Sequence, residues 1–343
     1  MRWSKMLTVV GAHAEGEVGQ VITGGVLGIS GATMGDKMRH LNEVDDRLRR
    51  FMLFEPRGNA HMSVNLLLPP TRPDADAAFI VMQADRCHPM SGSNAMCVVT
   101  VLLETGMLPM REPTTRVALE TPAGLVVAEA QCRDGRCERV ALDFVPSFAL
   151  HLDHALEVGG LGTLSVDVAW GGDWFCLVDA AGCGFAVRPD EVRDMVELGG
   201  RIKRAAYEQV TVCHPTMAEP GTISFVMFCA RPEAPGAPCR NGTVMHPGRM
   251  DRSPCGTGTA ARLAVMHARG EIALDEVLTM RSVIDSEFQA TIADVTTLSG
   301  HPAVLPRISG RAWIYGLYQT GLDPSDPCPL GYTVADTWRP ADA

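Results

Sequence analysis

The chain has 343 residues, of which 46% are hydrophobic and 20% charged, and its formal net charge at pH 7 is −10. This length suits two domains of ordinary size, and the acidic balance, without a run of Lys and Arg, argues against nucleic acid as a partner. No stretch approaches the roughly 18 apolar residues of a membrane span, and the apolar run near the N-terminus lacks a small-residue cleavage site. We therefore expect a cytoplasmic protein without a membrane partner.

Short apolar runs bounded by Gly, Pro or Asp predict many strands. In chain order these runs are LTVVGAHAE, GQVITGGV, MSVNLLLPP, AAFIVMQAD, TLSVDVAW, FCLVDAA, TISFVMFCA and RAWIYGLYQT. Two other segments, NAMCVVTVLLETG and GTAARLAVMHARG, are typical of apolar helices that end at Gly106 and Gly270. A third helix is predicted at PDEVRDMVELGGRIKRAAYEQ, where apolar residues recur with helical spacing.

The cysteines number 11 and are scattered along the chain. Cys132 and Cys137 lie close together in sequence, but no second pair follows with the spacing of a zinc site. We therefore predict buried or idle thiols in a reducing compartment and no metal site.

Each of the two apolar helices follows a turn of the same design. The first turn is Met90-Ser91-Gly92-Ser93-Asn94 and the second is Pro254-Cys255-Gly256-Thr257-Gly258. In both, a Ser or Cys is followed by Gly and then by a hydroxyl residue, and the two turns are 164 positions apart. This repetition predicts two halves of related design, each with strands around one central helix.

A turn of this kind has a definite chemistry. The first N–H groups of a helix lack intrahelical acceptors and the helix dipole is positive there, so the turn can bind a carboxylate. A thiol at such a position has its pKa lowered from about 8.5 into the range of about 3.5–7.5. These effects make Cys255 a candidate thiolate base. The alternative is a small residue at the start of a helix without a chemical role, and local sequence alone leaves both open.

The segment DRSPCGTGTAA, at 251–261, resembles the second catalytic motif of the proline racemase family, which includes hydroxyproline 2-epimerases and trans-3-hydroxy-L-proline dehydratases. The other family-like segments are AHAEGE at 12–17, EPRG at 55–58, HPMSGSN at 88–94, WGGDWFCLVD at 170–179 and LDPSDP at 322–327. The resemblance therefore covers nearly the whole chain.

By this resemblance, two residues act on opposite faces of the substrate Cα, one removing a proton and the other able to deliver one. Cys255 matches the second of them. The first motif usually reads Met-Cys-Gly-His in the family, so Ser91 takes the place of the first thiol and Ser93 that of a histidine which helps to hold the ring nitrogen. The resemblance assigns proton removal from the L-isomer to the first motif, here Ser91. The alternative, for dehydration, is that Cys255 is the base and Ser91 mainly shapes the turn.

The resemblance also implies how the substrate is held. Four backbone N–H groups at the helix N-termini should hold its carboxylate, those of Gly92, Ser93, Gly256 and Thr257. Asp251 should pair with the ring ammonium, and His61 is a candidate contact for a ring hydroxyl. No cofactor is expected, because the site itself stabilises the carbanion-like state that follows loss of the Cα proton.

The expected fold class is α+β, with two similar domains as in diaminopimelate epimerase and proline racemase. Each domain should be a curved, mostly antiparallel sheet around a central helix, with the active site in the cleft. We expect the first domain at 1–122 plus 310–343, carrying the Ser91 motif. The second, at 123–309, carries the Cys255 motif.

The first functional hypothesis is a trans-3-hydroxy-L-proline dehydratase that forms 1-pyrroline-2-carboxylate, with possible side epimerase activity. Elimination needs one competent base and no proton returned to Cα from the opposite face, which suits a site with one thiol. The alternative is a 4-hydroxyproline 2-epimerase, and a minor alternative is an amino-acid-binding protein without turnover. The partner is then a small molecule, a hydroxyproline isomer, and we expect a monomer or a homodimer.

Overall fold

A computed structural model of the chain describes residues 3–217, 220–234 and 236–338. Contacts between residues divide the chain into two compact units. The first takes in the residues described within Met1–Leu142 and Gly310–Ala343, and the second is Asp143–Ser309.

The first unit is a mixed sheet with its longest helix packed against it. Its strands are β1 (Lys5–Ala14), β2 (Glu17–Gly24), β3 (Ser63–Leu68), β4 (Ala77–Met82), β5 (Cys87–His88), β6 (Thr114–Thr121), β7 (Gly124–Arg133), β8 (Arg136–Asp143, ending at the unit boundary) and, from the end of the chain, β20 (Ala312–Leu322). Its helices are α1 (Met34–Arg39), α2 (Arg47–Leu53) and α3 (Gly92–Glu104), with a π-helical turn at His40–Val44.

Pairing in this sheet runs in the order β20-β1-β2-β3-β4-β6-β7. The β2–β3 and β4–β6 pairs are parallel and the other pairs in this order are antiparallel. Helix α3 contacts β1, β2, β3 and β20. Its residues from Gly92 to Leu103 are all buried, which explains why its sequence is apolar on every side.

The second unit repeats this plan. Its strands are β9 (Phe148–Val158), β10 (Gly162–Trp170), β11 (Trp174–Asp179), β12 (Val212–Cys213), β13 (Pro220–Gly221), β14 (Phe225–Ala230), β15 (Cys239–Met245), β16 (Arg249–Met250), β17 (Leu278–Arg281), β18 (Glu287–Leu298) and β19 (His301–Gly310). Its helices are α4 (Val192–Gln209) and α5 (Gly256–Ala268), with 3-10 turns at Ala181–Cys183 and Pro189–Glu191.

Its main sheet runs in the order β9-β10-β11-β14-β15-β17-β18-β19, again with two parallel pairs, β11–β14 and β15–β17. If strand pairs are counted from β20 in the first unit and from β9 in the second, the third and the fifth pair are the parallel ones in both units. Helix α5 contacts β9, β10, β11 and β18, as α3 contacts its own sheet. The prediction of an α+β fold with two similar domains is confirmed.

The predicted first domain ended at residue 122, just before β7. In the structure β7 pairs with β6 along its length, from Gly124 opposite Thr121 to Gln131 opposite Thr114. The division between the units therefore falls later, after Leu142. A sequence pattern that predicts a strand does not show which neighbour completes its hydrogen bonds, and the expected boundary cut this hairpin apart.

Candidate active site

Ser91 is the N-cap residue of α3, in the first unit. Its Oγ accepts hydrogen bonds from the Asn94 side-chain Nδ2 at 2.8 Å and from the Asn94 backbone N–H at 3.5 Å. The Ser93 Oγ lies 3.3 Å from it. Ser93 and Asn94 are buried, while Ser91 is partly exposed, so its hydroxyl is reachable from outside but supported from within.

Cys255 is the N-cap residue of α5, in the second unit. Its Sγ accepts from the backbone N–H of Gly258 at 3.4 Å and lies 3.8 Å from the Thr257 Oγ1. Its φ is +64°, a left-handed conformation that costs a residue other than Gly about 1–3 kcal/mol. The fold therefore holds this thiol in a strained position, as is common where a side chain must be aimed at a ligand.

The acidity of this thiol differs from the sequence-based expectation. Cys255 is only 7% exposed and packs in an apolar cluster with Phe175, Met227 and Ala261. Burial raises the pKa of the Cys255 thiol far above its usual range, and the charge of Asp251 raises that pKa further. The hydrogen bond from the Gly258 N–H lowers this pKa, but by less than burial and Asp251 raise it. The predicted lowering of the pKa was wrong, because the desolvation of the buried thiol outweighs the effect of the helix N-terminus.

Asp251 lies just after β16 and is 4% exposed. Its Oδ1 accepts from the Ser253 backbone N–H at 2.8 Å and from the Ser253 hydroxyl at 3.0 Å. The Ser253 Oγ in turn accepts from the Cys255 N–H at 3.1 Å. Asp251, Ser253 and Cys255 thus form one hydrogen-bonded loop, which keeps the carboxylate near the thiol.

The residues predicted to hold a carboxylate lie in the first turns of the two helices. Gly92 and Ser93 begin α3, and Gly256 and Thr257 begin α5. At these positions a helix leaves its N–H groups without intrahelical acceptors, in the positive end of its dipole. Each unit therefore carries the backbone donors that binding of an anion requires.

Gly171 supports the first turn of α5. A Cβ at this position would lie 2.1 Å from the Thr257 carbonyl oxygen and 2.4 Å from the Ala261 nitrogen. Only a residue without a side chain lets the β10–β11 connection lie directly on this turn. The glycine pair in the WGGDW segment thus serves close backbone packing, at least at its first member.

His61 lies in the loop between α2 and β3, where its side chain is exposed and its backbone N–H donates to the Asn59 Oδ1 at 2.9 Å. Its role as a substrate contact stays a prediction. Sequence reasoning missed Asn65 and Asn241, which lie in β3 and β15 and hydrogen-bond towards the two turns. For Asn65, an asparagine within a mainly apolar strand was the signal that could have found it.

Within residues 3–217, 220–234 and 236–338, no cluster of three or more His, Cys, Asp or Glu residues could hold a metal ion. Over the same ranges, none of the helices has the length and apolar character needed to cross a membrane.

The family model described as proline racemase matches residues 9–333. A 4-hydroxyproline 2-epimerase of Rhizobium etli is 45% identical over 343 residues, with 99% of each chain covered.

Two solved structures are also similar. One is a hydroxyproline epimerase of Agrobacterium vitis with bound trans-4-hydroxy-L-proline, which is 44% identical, with a TM-score of 0.95 and 99% of each chain covered. The other is a probable proline racemase of Agrobacterium radiobacter with bound carbonate, 44% identical, with a TM-score of 0.94 and 98% of each chain covered.

Proposed function

This chain belongs to the proline racemase family, and from that premise we propose that it is a 4-hydroxyproline 2-epimerase acting on trans-4-hydroxy-L-proline. The observation that carries the proposal is the presence of two proton-transfer side chains, a hydroxyl and a thiol, each at the N-cap of a central helix. Epimerisation at Cα uses both, because one group must take a proton and another must deliver one to the opposite face.

Two of these relatives are named as hydroxyproline epimerases, and they favour this function over the trans-3-hydroxy-L-proline dehydratase that the sequence suggested first. The dehydratase hypothesis depended on the argument that elimination needs only one competent base, which suits a site with one thiol and in which Ser91 mainly shapes the turn. The surroundings of Ser91 weaken that view, since its Oγ is held by two donors from Asn94.

We assign the roles as follows. The N–H groups at the start of α3 and α5 hold the carboxylate, and Asp251 faces the ring ammonium. With the carboxylate held by these donors, the negative charge that develops when Cα loses its proton is stabilised without a cofactor. His61 remains a candidate for the 4-hydroxyl.

When the L-isomer reacts, one proton leaves Cα and another reaches Cα from the opposite face. Ser91, in its deprotonated form, takes the Cα proton, so the Cα–H bond breaks and an O–H bond forms. Cys255, in its protonated form, gives its proton to the opposite face, so its S–H bond breaks and a new Cα–H bond forms. The negative charge moves from Ser91 to Cys255. It returns to Ser91 in the reverse reaction or, between turnovers, when Ser91 gives its proton to solvent and Cys255 takes one from solvent.

This exchange of protons works best when the two groups have similar pKa values. An alkyl hydroxyl is ordinarily a far weaker acid than a thiol. Burial and the charge of Asp251 raise the pKa of Cys255, which brings the acidity of the thiol closer to that of the hydroxyl. The raised pKa also keeps the thiol protonated at rest, as its role as donor to the L-isomer requires.

Incubation of the purified protein with trans-4-hydroxy-L-proline, followed by chiral chromatography, tests the proposal. We expect cis-4-hydroxy-D-proline, approaching an equilibrium mixture from either isomer. A parallel incubation with trans-3-hydroxy-L-proline, with chemical trapping of the imine, tests dehydration. Imine formation at a rate above that of epimerisation would favour the dehydratase, and binding without turnover of any isomer would favour a binding protein.

A further inference from the structure

A buried chain of amides leads to Ser91 from the sheet of the first unit. The Asn65 Nδ2 donates to the Gln20 backbone carbonyl at 3.1 Å and to the Asn94 Oδ1 at 2.8 Å. The Asn94 Nδ2 donates to the Ser91 Oγ at 2.8 Å. Asn65 and Asn94 are 0% and 1% exposed, so water does not compete for these bonds.

The direction of donation along this chain is fixed at its far end. The Gln20 carbonyl can only accept a hydrogen bond, so Asn65 must present its NH₂ group there. The same NH₂ group faces Asn94, which must therefore present its Oδ1 to Asn65. The Asn94 NH₂ group is then the one that faces Ser91, and the Ser91 oxygen receives a donor.

Gly19 provides the room for this arrangement. A Cβ at Gly19 would lie 2.7 Å from the Asn94 Oδ1 and 3.3 Å from the Asn65 Nδ2. The Asn65 Oδ1, in contrast, is buried with no hydrogen-bond partner among the described residues. Because Asn65 leaves its acceptor unused while its NH₂ group makes two bonds, the donor is what this position supplies.

We infer that Asn94 is a positioning residue for proton transfer, which orients the Ser91 hydroxyl and stabilises its deprotonated form. The inference rests on the proposed function. In either direction of epimerisation Ser91 passes through a deprotonated state, and a buried N–H donor to an oxygen anion stabilises that anion more than it stabilises the neutral hydroxyl. Asn94 thus makes the Ser91 hydroxyl more acidic, which brings its acidity closer to that of the Cys255 thiol.

The second unit uses its buried asparagine differently. The Asn241 Nδ2 donates to the Pro254 carbonyl and to the Thr259 Oγ1, both at 3.0 Å, and the Arg262 Nη1 donates to the Asn241 Oδ1 at 2.7 Å. This network braces the backbone before Cys255 and gives no amide donor to the thiol. This difference between the two units agrees with the acidity of the two side chains. A thiol ionises more readily than a hydroxyl, so Cys255 has less need of an amide donor than Ser91.

The test compares Asn94→Ala in two backgrounds, the wild type and Ser91→Cys, with trans-4-hydroxy-L-proline as substrate. We expect kcat to fall by about 10²-fold in the wild type, as for loss of one buried donor to an oxygen anion, with little change in KM. With a thiol at position 91 the same substitution should cost clearly less. Thr100→Val, a buried change further along α3, is the control for helix packing and should keep wild-type kinetics.

Asn94→Asp provides an isosteric check. It keeps an acceptor for Asn65 but replaces the donor to Ser91 with an oxygen, so its kcat should also fall. Wild-type kcat in either Asn94 variant, or equal fold losses in the two backgrounds, would overturn the inference. Should Ser91→Cys be inactive, the isosteric variant alone decides. If the wild type does not epimerise the substrate at all, the proposed function fails instead.

Discussion

At the scale of single residues, two opposing influences act on Cys255. The N-terminus of α5 offers an N–H donor and a positive dipole, both of which favour the thiolate. Burial among apolar side chains and the neighbouring Asp251 favour the protonated thiol, and they prevail. In the proposed mechanism, this protonated thiol is the form that gives its proton to Cα when the L-isomer reacts.

The role of Cys255 as the proton donor can be tested by truncation. Cys255→Ala should lower kcat by at least about 10²- to 10⁴-fold, the usual contribution of a positioned acid or base, because no other group delivers the proton. Cys229→Ala, which removes another thiol beside the same apolar cluster, is the matched control and should remain active. Comparable activity in the two variants would remove Cys255 from the mechanism.

The effect of Asp251 on the thiol can be measured directly. Because the charge of Asp251 raises the pKa of Cys255, Asp251→Asn should lower that pKa. The alkylation rate of Cys255, followed by mass spectrometry of its peptide as pH rises, should then increase at a lower pH than in the wild type. An unchanged or upward-shifted profile would show that the carboxylate does not act on the thiol.

At the scale of elements, both central helices begin at the Gly that directly follows Ser91 or Cys255. These helices could be predicted from sequence alone, because each has an apolar interior and is followed by a Gly. The strands between residues 114 and 158 and between 278 and 310 were harder to predict. Strand-like alternation there is interrupted by charged and turn residues, and pairing with distant strands stabilises them.

Contact between Gly171 and the first turn of α5 yields a test at this scale. Gly171→Ala should destabilise the protein by about 1–3 kcal/mol and lower activity as well, because its Cβ would displace the backbone that carries Thr257. The matched control is Gly200→Ala within α4, where a Cβ would meet nothing within 4 Å.

The control should be neutral or stabilising, by up to about 1 kcal/mol, since Ala is the better helix former. Thermal unfolding and kcat of the two variants provide the comparison. Equal behaviour of the two alanine variants would mean that the close approach at Gly171 does not matter.

At the scale of the whole molecule, the sequence repeats one plan twice. Two matching turns predicted this duplication, and the matching positions of the parallel pairs in the two sheets bear it out. Sequence also proposed Ser91, Cys255 and Asp251 as site residues, because they lie in short local motifs. It missed the Asn65–Asn94 contact and the burial of Cys255, because both depend on residues brought together only by folding.

Buried thiols predict how stability changes with pH. Burial raises the pKa of Cys87, Cys137 and Cys176 from 9.0 to about 12. Above about pH 9 these thiols ionise in the unfolded chain but stay protonated in the folded one, so stability is full below pH 9 and is lost as pH rises towards 12. Each contributes up to about 1.4 kcal/mol of loss per pH unit.

Thermal unfolding under reducing conditions at pH 8, 9 and 10 should show this loss. Cys176→Ala should be less stable at pH 8, because it leaves a cavity. Its decline with pH should nevertheless be shallower than in the wild type by about 1 kcal/mol per unit. A decline as steep as in the wild type would show that this thiol does not contribute.

The most direct test of the account is the fate of the Cα hydrogen in D₂O. If Ser91 and Cys255 act on opposite faces, the cis-4-hydroxy-D-proline first formed from trans-4-hydroxy-L-proline should carry one deuterium at Cα, delivered from the exchanged thiol. The substrate still present at that time should remain free of deuterium. A D-isomer that keeps the original hydrogen would mean that a single group carries the proton across, and would contradict the two-residue mechanism.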